Sequence, residues 1–449
     1  RFRDFLGKSS KVIQCAKHVC DKDPYTFVFT LPADTHKDTS QTLRKESTEK
    51  SEDYIQLVSD TIDEKADALN DLGQYLWENP ELAFKEKKAH DYITKYLESE
   101  GFSVTRNYLL DTAFRAEYGD GGPLVIIMCE FDALPDIGHA CGHNLIAECA
   151  VATGIAVKKA LESDSSLSGK VVVLGTPGEE GGQGKVYLLR DGAFDGADVA
   201  LMAHPFSKNI SHPVTSALAQ IHVTYDGKPA HAGAAPWDGI NALDAAVGAY
   251  VNVSMLRQQM KPDYRATGIF KEGGAAANII PEHTEMEFTL RAQDRKNVLI
   301  LKEKLESCFK AAATATGCSV EIKDGGPLVD NLISSEPMSK VFEAFARAVG
   351  FPPVSGVDEN TGSTDAGNVS HVLPTLHPYF ELNSAGFNHT EEFTKATNTP
   401  ESFDLTLKTA KALALTALEV MRDPEFLKEI KKQFEIDTAD DMVMARSRL

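Results

Sequence analysis

The chain has 449 residues, 42% of them hydrophobic, and a formal net charge of -20. A chain of this size can bury a sizeable core and is expected to form two domains. The negative charge argues against nucleic acid or an anionic membrane as a partner, and no apolar run approaches the roughly 20 residues that span a bilayer. The seven scattered cysteines do not resemble a disulfide framework, which favours a reducing, cytoplasmic setting.

The first fifty residues differ from the rest of the chain. They are the more basic part, and the polar stretch 33–52 lacks periodicity, so we predict a disordered arm over residues 1–50. Cys15, His18 and Cys20 could form a small metal cluster, but no second pair of ligands follows at the usual spacing. An unstructured or locally helical segment is therefore the favoured interpretation.

A clear helical pattern of apolar residues begins after residue 51. Apolar residues at helical spacing predict a helix over 54–79, which Pro80 ends, and a second helix over 89–100.

Three continuous apolar runs follow, at 124–128, 170–175 and 198–202. Such runs are typical of strands that are buried on both faces of a mostly parallel sheet. Helical segments lie between them, notably at 145–161. This alternation predicts an α/β fold in three layers with right-handed crossovers.

Between residues 215 and 326 the pattern changes. Two helices and four strands follow in the order β-α-β-β-α-β, which is the order of a ferredoxin-like domain. We therefore predict a catalytic domain formed by residues 51–214 and 327–430, interrupted by an inserted domain over 215–326. A C-terminal tail would occupy residues 431–449.

Residues able to bind a metal follow each of the three buried strands. They are Asp132, Cys141, His143, Glu179, Glu180 and His204. A further histidine, His389, follows a strand predicted at 375–382. In open α/β sheets, ligands bind beyond the carboxyl ends of the strands. A lone histidine after a strand is usually an ordinary loop residue, but this joint placement favours a metal site.

Several short sequence motifs contain these residues or lie elsewhere in the same predicted domains. They are Asn79-Pro80-Glu81-Leu82, Phe131-Asp132-Ala133-Leu134-Pro135, His139-Ala140-Cys141-Gly142-His143, Glu179-Glu180-Gly181-Gly182, Ala203-His204-Pro205, and Gly273-Gly274-Ala275-Ala276-Ala277-Asn278-Ile279-Ile280-Pro281, with His389. Together they resemble the metallopeptidase family that contains aminoacylases, auxin-conjugate amidohydrolases and carboxypeptidase G. The resemblance covers residues 51–427. With Asn144, the central motif is similar to the Xaa-Arg dipeptidase branch of that family and to aminobenzoyl-glutamate hydrolases, and the run 362–370 is similar to the dipeptidase branch.

The resemblance implies a site for two divalent metal ions, zinc or manganese. The ligands would be Cys141, which bridges the ions, and His143, Glu180, His204 and His389. Thiolate, imidazole and carboxylate suit Zn²⁺ and, less well, Mn²⁺. Glu179 would be the general base, and Asp132 would orient the ligands. Other branches have a metal-binding histidine at the position of Glu130, so here His143 would take its place.

The resemblance also makes the inserted domain a lid that dimerises, so we expect a homodimer. His231, in Pro229-Ala230-His231-Ala232-Gly233, would reach the partner subunit's site and stabilise an oxyanion there. Asn278 and Arg291 would hold the carboxylate of the substrate. A turn-capping asparagine and a surface arginine explain these two residues equally well on local sequence. His139 would support the ligands, although a hydrogen bond within the loop explains it equally well.

The predicted function is metal-dependent hydrolysis of dipeptides with a free C-terminal carboxylate, with a basic C-terminal residue (Lys, ornithine or Arg). The main alternative is an amidohydrolase that acts on N-acyl amino acids or aminobenzoyl-glutamate. Two alternatives come from other classes. Cys141 could be the nucleophile of a Cys-His hydrolase, although Glu179-Glu180 has no role in such a mechanism, or the chain could be a catalytically silent binding protein.

Overall fold

The structure is a computed structural model that describes residues 39–351, 355–358 and 362–439. The predicted arm up to residue 38, with Cys15, His18 and Cys20, lies outside the described residues, as does the end of the predicted tail from residue 440 onward. None of the described helices has the length and apolar character needed to cross a bilayer.

The helices are α1 (Thr39–Glu64), α2 (Ala66–Glu78), α3 (Lys87–Ser99), α4 (His143–Ser163), α5 (Glu179–Gly182), α6 (Gly184–Arg190), α7 (Ala242–Leu256), α8 (Arg295–Thr316), α9 (Glu336–Ala348), α10 (Ala366–Ser370), α11 (Glu391–Ala396), α12 (Pro400–Arg422) and α13 (Pro424–Asp437). The strands are β1 (Ser103–Arg106), β2 (Phe114–Asp120), β3 (Leu124–Cys129), β4 (Gly169–Gly175), β5 (Val199–Leu201), β6 (His204–Phe206), β7 (Ile210–Pro213), β8 (Ala217–Asp226), β9 (Arg265–Glu272), β10 (His283–Ala292), β11 (Ser319–Asp324), β12 (Ser355–Asp358), β13 (Thr375–Leu376) and β14 (Tyr379–Glu381).

Helix α1 begins upstream of the predicted start at residue 54. Residues 39–52 are therefore helical, which agrees with a locally helical segment rather than an unstructured one in this part of the chain. The segment contains neither glycine nor proline, and eight of its fourteen residues are Glu, Lys, Gln, Leu or Arg, which are strong helix formers. It has no apolar stripe. The helix predicted over 54–79 is interrupted at Lys65, between α1 and α2.

The main sheet has the strand order β1-β2-β4-β3-β5-β13. Strands β4, β3, β5 and β13 run parallel to one another, while β2 pairs antiparallel with both β1 and β4. Alternate residues of β3 enter two different cores, because successive side chains of a strand point to opposite faces. Val125 and Ile127 pack with helices α4 and α12, and Ile126 and Met128 pack with α6 and α10. The predicted three-layer α/β fold is confirmed.

The strand predicted over 375–382 is divided between two sheets. Its first part, β13, pairs with β5, and its second part, β14, pairs with β6 in a small sheet of order β12-β7-β14-β6. His377 and Pro378 lie between the two parts. Proline cannot donate to a strand ladder, which is consistent with a break at this point.

Residues 217–324 form the predicted β-α-β-β-α-β arrangement. The sheet order is β11-β8-β10-β9 with antiparallel neighbours throughout, and α7 and α8 share a buried core with it. Tyr225, Phe288 and Phe309 are among the largest fully buried side chains of this core. The division of the chain at residues 214/215 and 326/327 stays a prediction.

Candidate metal centre

The predicted ligands converge because β3, β4 and β5 are parallel neighbours and end at one edge of the sheet. Two glycines with left-handed backbone make the turns at this edge. Gly142 (φ 81°) precedes helix α4, which starts at His143, and Gly178 (φ 69°) precedes Glu179. A Cβ atom at Gly178 would lie 2.8 Å from the ring of Phe84, so a side chain there would be both strained and crowded.

His143, Glu179 and Glu180 form one group of metal-capable atoms at this edge, and two further sets of ligand atoms share Cys141. One set contains Cys141, His143 and His204, and the other contains Cys141, Glu180 and His389; within each set the atoms lie within 4.8 Å of one another. The sulfur of Cys141 is 3.5 Å from Nε2 of His204. Oε1 of Glu180 is 3.1 Å from Nε2 of His389. The structure thus brings all five predicted ligands together.

Glu179 lies beside the first set. Its carboxylate oxygen Oε2 is 3.9 Å from Nε2 of His143, and its side chain is 12% exposed. Burial raises the pKa of Glu179 well above its ordinary value, and the neighbouring carboxylates of Glu130, Glu180 and Asp365 raise it further. Glu179 is thus a carboxylate that lies beside the ligands but belongs to neither set that shares Cys141, which is the position expected of a general base.

Asp132 connects the two sets without belonging to either. It is 1% exposed. Its Oδ1 lies 3.1 Å from Nδ1 of His143, and its Oδ2 accepts a hydrogen bond of 2.9 Å from the backbone N–H of Glu180. A proton on Nδ1 of His143 would leave Nε2 free for a metal, which is the usual arrangement of a metal-binding histidine. Burial alone would lower the pKa of His143, but Asp132, Cys141 and Glu130 outweigh it and raise that pKa.

His204 and His389 differ in their exposure to solvent. Nδ1 of His204 donates to the carbonyl of Pro205 at 2.7 Å, and burial lowers the pKa of His204 to about 4. The side chain of His389 is 53% exposed. Its backbone has a φ of 69°, and its N–H donates to the carbonyl of Ala140 at 2.8 Å. The second set is therefore the one that is open to solvent.

The donors of this site fit divalent metal ions. Nε2 of His143 and Oε2 of Glu130 are buried and make no hydrogen bond, although a buried polar group without a partner is costly. Burial raises the pKa of the Cys141 thiol, as does the nearby carboxylate of Glu180. A bound cation would instead lower the pKa of this thiol and favour the thiolate.

Two residues of the central motif turn away from this centre. Nε2 of the buried His139 bonds to the carbonyl of Leu76 in helix α2 at 3.1 Å. Nδ2 of Asn144 donates to the carbonyls of Gly73 and Thr397, at 3.3 Å and 3.0 Å. Both residues therefore attach the metal-binding loop and the start of α4 to neighbouring segments, and neither supplies a ligand atom.

The three predicted residues of the inserted domain have local partners, and His231 belongs to none of the ligand sets found among the described residues. His231 is exposed; its Nδ1 accepts hydrogen bonds of 3.2 Å from the N–H groups of Gly233 and Ala234. Asn278 is exposed beside it on the adjoining segment, where Ile279 pairs with His231. Nη1 of the partly buried Arg291 donates to Oγ of Ser363 at 2.6 Å.

Glu86, whose carboxylate lies behind the turn at Gly178, was not among the residues predicted from the sequence. Oε1 of the buried Glu86 accepts hydrogen bonds of 2.9 Å from the N–H groups of Phe84 and Gly178, and Oε2 accepts one of 2.7 Å from Thr112. Burial raises the pKa of Glu86 to about 7. This side chain holds the turn that presents Glu179, and no motif in the sequence points to it.

Lys185 and Asp365 were missed as well. Both are fully buried or nearly so, and Lys185 contacts both Glu130 and Asp365 beneath the ligands. Two features of the sequence could have pointed to them. Lys185 follows the Glu179-Glu180 turn, and Asp365 lies in the run 362–370, which resembles the dipeptidase branch.

Comparison with known proteins gives relatives over most of the chain. A family model described as a peptidase dimerisation domain matches residues 215–316. The chain is 43% identical to the Xaa-Arg dipeptidase of Mus musculus, over 86% of this chain and 93% of the relative. It is 44% identical to the Xaa-Arg dipeptidase of Homo sapiens, over 85% of this chain and 92% of the relative. One of the subunits of the p-aminobenzoyl-glutamate hydrolase of Escherichia coli (strain K12) is 31% identical, over 61% of this chain and 60% of the relative.

Solved structures share the fold at lower identity. An aminobenzoyl-glutamate utilization protein from Klebsiella pneumoniae superposes with a TM-score of 0.63 at 16% identity, over 81% of this chain and 99% of that protein. A Bacillus subtilis protein described as a dinuclear metal-binding peptidase of the M20 family superposes with a TM-score of 0.59 at 21% identity, over 79% of this chain and 98% of that protein.

Proposed function

Because the chain belongs to the M20 peptidase family, as its identity to the Xaa-Arg dipeptidases demonstrates, we propose that it hydrolyses dipeptides with the help of two divalent metal ions. The observation that carries the proposal is the pair of ligand sets that share Cys141, with Glu179 beside them. Zinc or manganese would suit these donors. Cys141 must stay reduced to bind the ions, which favours a reducing compartment such as the cytoplasm.

The bound ions would supply the electrostatic part of the chemistry, since divalent metals lower the pKa of water and polarise carbonyl groups. The residues of the chain perform the remaining tasks. Glu179 accepts the proton of the attacking water and returns it to the leaving amine. Asp132 holds His143 and the backbone of Glu180 in fixed positions, so that the ligands do not reorganise during the reaction.

The free carboxylate of the substrate requires a cationic or hydrogen-bonding partner. Arg291 is partly buried and donates to Ser363, and its planar guanidinium can bind a carboxylate through two parallel hydrogen bonds. We assign this role to Arg291 together with Asn278. The names of the two mammalian relatives support a basic residue at the C-terminal position of the substrate.

A dipeptide panel that varies only the C-terminal residue tests the substrate assignment. After reconstitution with Zn²⁺ or Mn²⁺, we expect kcat/KM for β-alanyl-lysine and for dipeptides ending in ornithine or arginine to exceed that for a neutral C-terminal residue about 10- to 100-fold. One charge-assisted hydrogen bond contributes about 1.5–3 kcal/mol, which corresponds to that range.

Other results of the panel identify the alternatives. Faster hydrolysis of aminobenzoyl-glutamate or of acetyl-amino acids would favour the amidohydrolase alternative, which the Escherichia coli relative supports. If no substrate is hydrolysed while metal is bound, the chain is a catalytically silent binding protein and the proposal is wrong.

We further propose that a second copy of the chain covers one face of the inserted domain. Strand β9 is at the edge of its sheet, and exposed apolar side chains extend from it across α7. The exposed fractions are 39% for Tyr250, 46% for Val251, 64% for Met255, 56% for Ile269 and 41% for Phe270. An apolar face beside an unpaired strand edge is typical of an interface, and the dimerisation-domain match supports a homodimer. His231 would then reach the active site of the partner subunit.

Val251→Glu tests this interface. A two-fold interface buries the new charge twice, so we expect self-association to weaken about 100-fold or more, as measured by analytical ultracentrifugation. Activity should fall with dimer content, because each site would lose the histidine of its partner. Val372→Glu is the matched control, since Val372 is 57% exposed but lies outside the inserted domain. A fully active monomeric V251E would contradict the role of His231.

A further inference from the structure

Three charged side chains form a buried network directly beneath the proposed ligands. Nζ of Lys185 lies 2.5 Å from Oε1 of Glu130 and 2.6 Å from Oδ1 of Asp365. The backbone N–H of Lys185 also donates to Oδ2 of Asp365 at 2.8 Å. The relative exposures of Lys185, Glu130 and Asp365 are 0%, 0% and 1%. The proposed reaction leaves all three without a role.

The network has more negative than positive charge. One ammonium facing two carboxylates leaves negative charge in a buried site, and such charge is unfavourable unless a cation lies close by.

The free oxygen of Glu130 points to where that cation would bind. Oε1 is occupied by Lys185, whereas Oε2 makes no hydrogen bond. Oε2 lies 3.4 Å from Nε2 of His143, which also makes none. Two ligand atoms at about 2.0–2.2 Å from a tetrahedral Zn²⁺ are themselves about 3.4 Å apart. The distance of 3.5 Å between Sγ of Cys141 and Nε2 of His204 likewise matches the separation of about 3.5 Å expected for a sulfur and a nitrogen ligand.

We propose that the metal ion held by Cys141, His143 and His204 also binds the free oxygen of Glu130, which lies beside His143 but outside the group that the other three atoms form without the ion. Lys185, itself held by Asp365, would keep the carboxylate of Glu130 in place. This inference rests on the proposed metal-dependent function. It makes the two ions different. The first has four protein ligands that are largely buried, and the second, with Cys141, Glu180 and the exposed His389, keeps room for water and substrate. A closed set of four ligands is typical of a tightly held ion, and an open set is typical of a catalytic one.

Metal titration of the full chain tests the proposal without using activity. Metal-free wild type and Glu130→Gln are titrated with Co²⁺, with binding followed by calorimetry and by the absorption bands of the bound ion. We expect wild type to bind two ions with different affinities. In E130Q the tighter ion should bind more than about 100-fold more weakly, because loss of a direct ligand should exceed the 10- to 100-fold effect of residues that only support ligands. Its absorption bands should change.

The matched control is Glu148→Gln. Glu148, in the second turn of α4, is also fully buried and makes no hydrogen bond. It belongs to none of the ligand sets found among the described residues, so its replacement should leave both Co²⁺ affinities unchanged. Should E130Q fail to fold, Glu130→Asp gives the same test. It preserves a charge for Lys185 while withdrawing the carboxylate by one methylene, and we again expect the tighter ion to be weakened and its spectrum altered.

Two contrary outcomes are distinguishable. Two ions bound by E130Q or E130D with wild-type affinity and spectrum would mean that Glu130 only neutralises Lys185, and the inference would be wrong while the proposed function stands. Failure of wild type itself to bind Co²⁺, Zn²⁺ or Mn²⁺ would overturn both.

Discussion

Replacement of Glu179 by glutamine is expected to lower kcat by about 10²- to 10⁴-fold, the usual contribution of a general base. Glutamine preserves the size of the side chain but has no high-affinity site for a proton. Metal content should stay at two ions per chain, because the ligand sets that share Cys141 do not require Glu179. Steady-state kinetics on the best dipeptide of the panel, with metal analysis of the same preparation, gives both quantities.

Comparing kcat with metal content in E179Q decides the role of Glu179. A loss of kcat with KM and metal content largely unchanged fits a group that acts on the proton of the attacking water. If metal is lost in parallel with activity, Glu179 is a ligand and the assignment of the base is wrong. Undiminished turnover in E179Q would also exclude Glu179 as the general base. Glu78→Gln, an exposed helical glutamate that bonds to Gln74, is the control for a change of charge alone.

Replacement of Cys141 by alanine is expected to abolish activity by releasing both ions. Cys141 is the residue that the two ligand sets share, so its loss leaves each ion with fewer donors. Loss of a direct ligand should weaken binding by more than about 100-fold. Inductively coupled plasma analysis of dialysed protein should detect the loss of both metals. Cys308→Ser is the matched control, because Cys308 is a partly exposed free cysteine of the inserted domain and should leave metal content unchanged.

Cys141→Asp distinguishes a bridging ligand from a nucleophile. A carboxylate can bind two ions at once through its two oxygens, so C141D should recover metal binding and part of the activity that C141A lacks. If Cys141 were the nucleophile of a Cys-His hydrolase, C141D would be inactive and wild-type activity would survive exhaustive chelation but not thiol alkylation. That pair of results would reject the metal-dependent proposal.

Much of the fold could be predicted because continuous apolar runs have few alternatives. The runs at β3, β4 and β5 are recognisable as buried strands since both faces of each strand are apolar. The start of α1 was missed because residues 39–52 form a helix by propensity without an apolar stripe. The strand at 375–382 was predicted as one element, because nothing in a local pattern indicates that β13 and β14 pair with different sheets.

For the candidate site, the sequence by itself determined which chemical groups follow which strand. Parallel neighbouring strands end at one edge, so Cys141, Glu180 and His204 could be expected to meet before any coordinates were known.

Only the tertiary structure decided the direction of each side chain. His139 and Asn144 lie in the same loop as Cys141 yet bond to Leu76, Gly73 and Thr397. Lys185 and Asp365 are 180 residues apart in the chain, and they meet at Glu130 beneath the metal centre. The physical reason is that the spacing of residues in a sequence shows only which residues are neighbours within one strand or loop. Which face of a loop is buried, and which distant charges neutralise each other there, depends on packing between segments that are far apart in sequence.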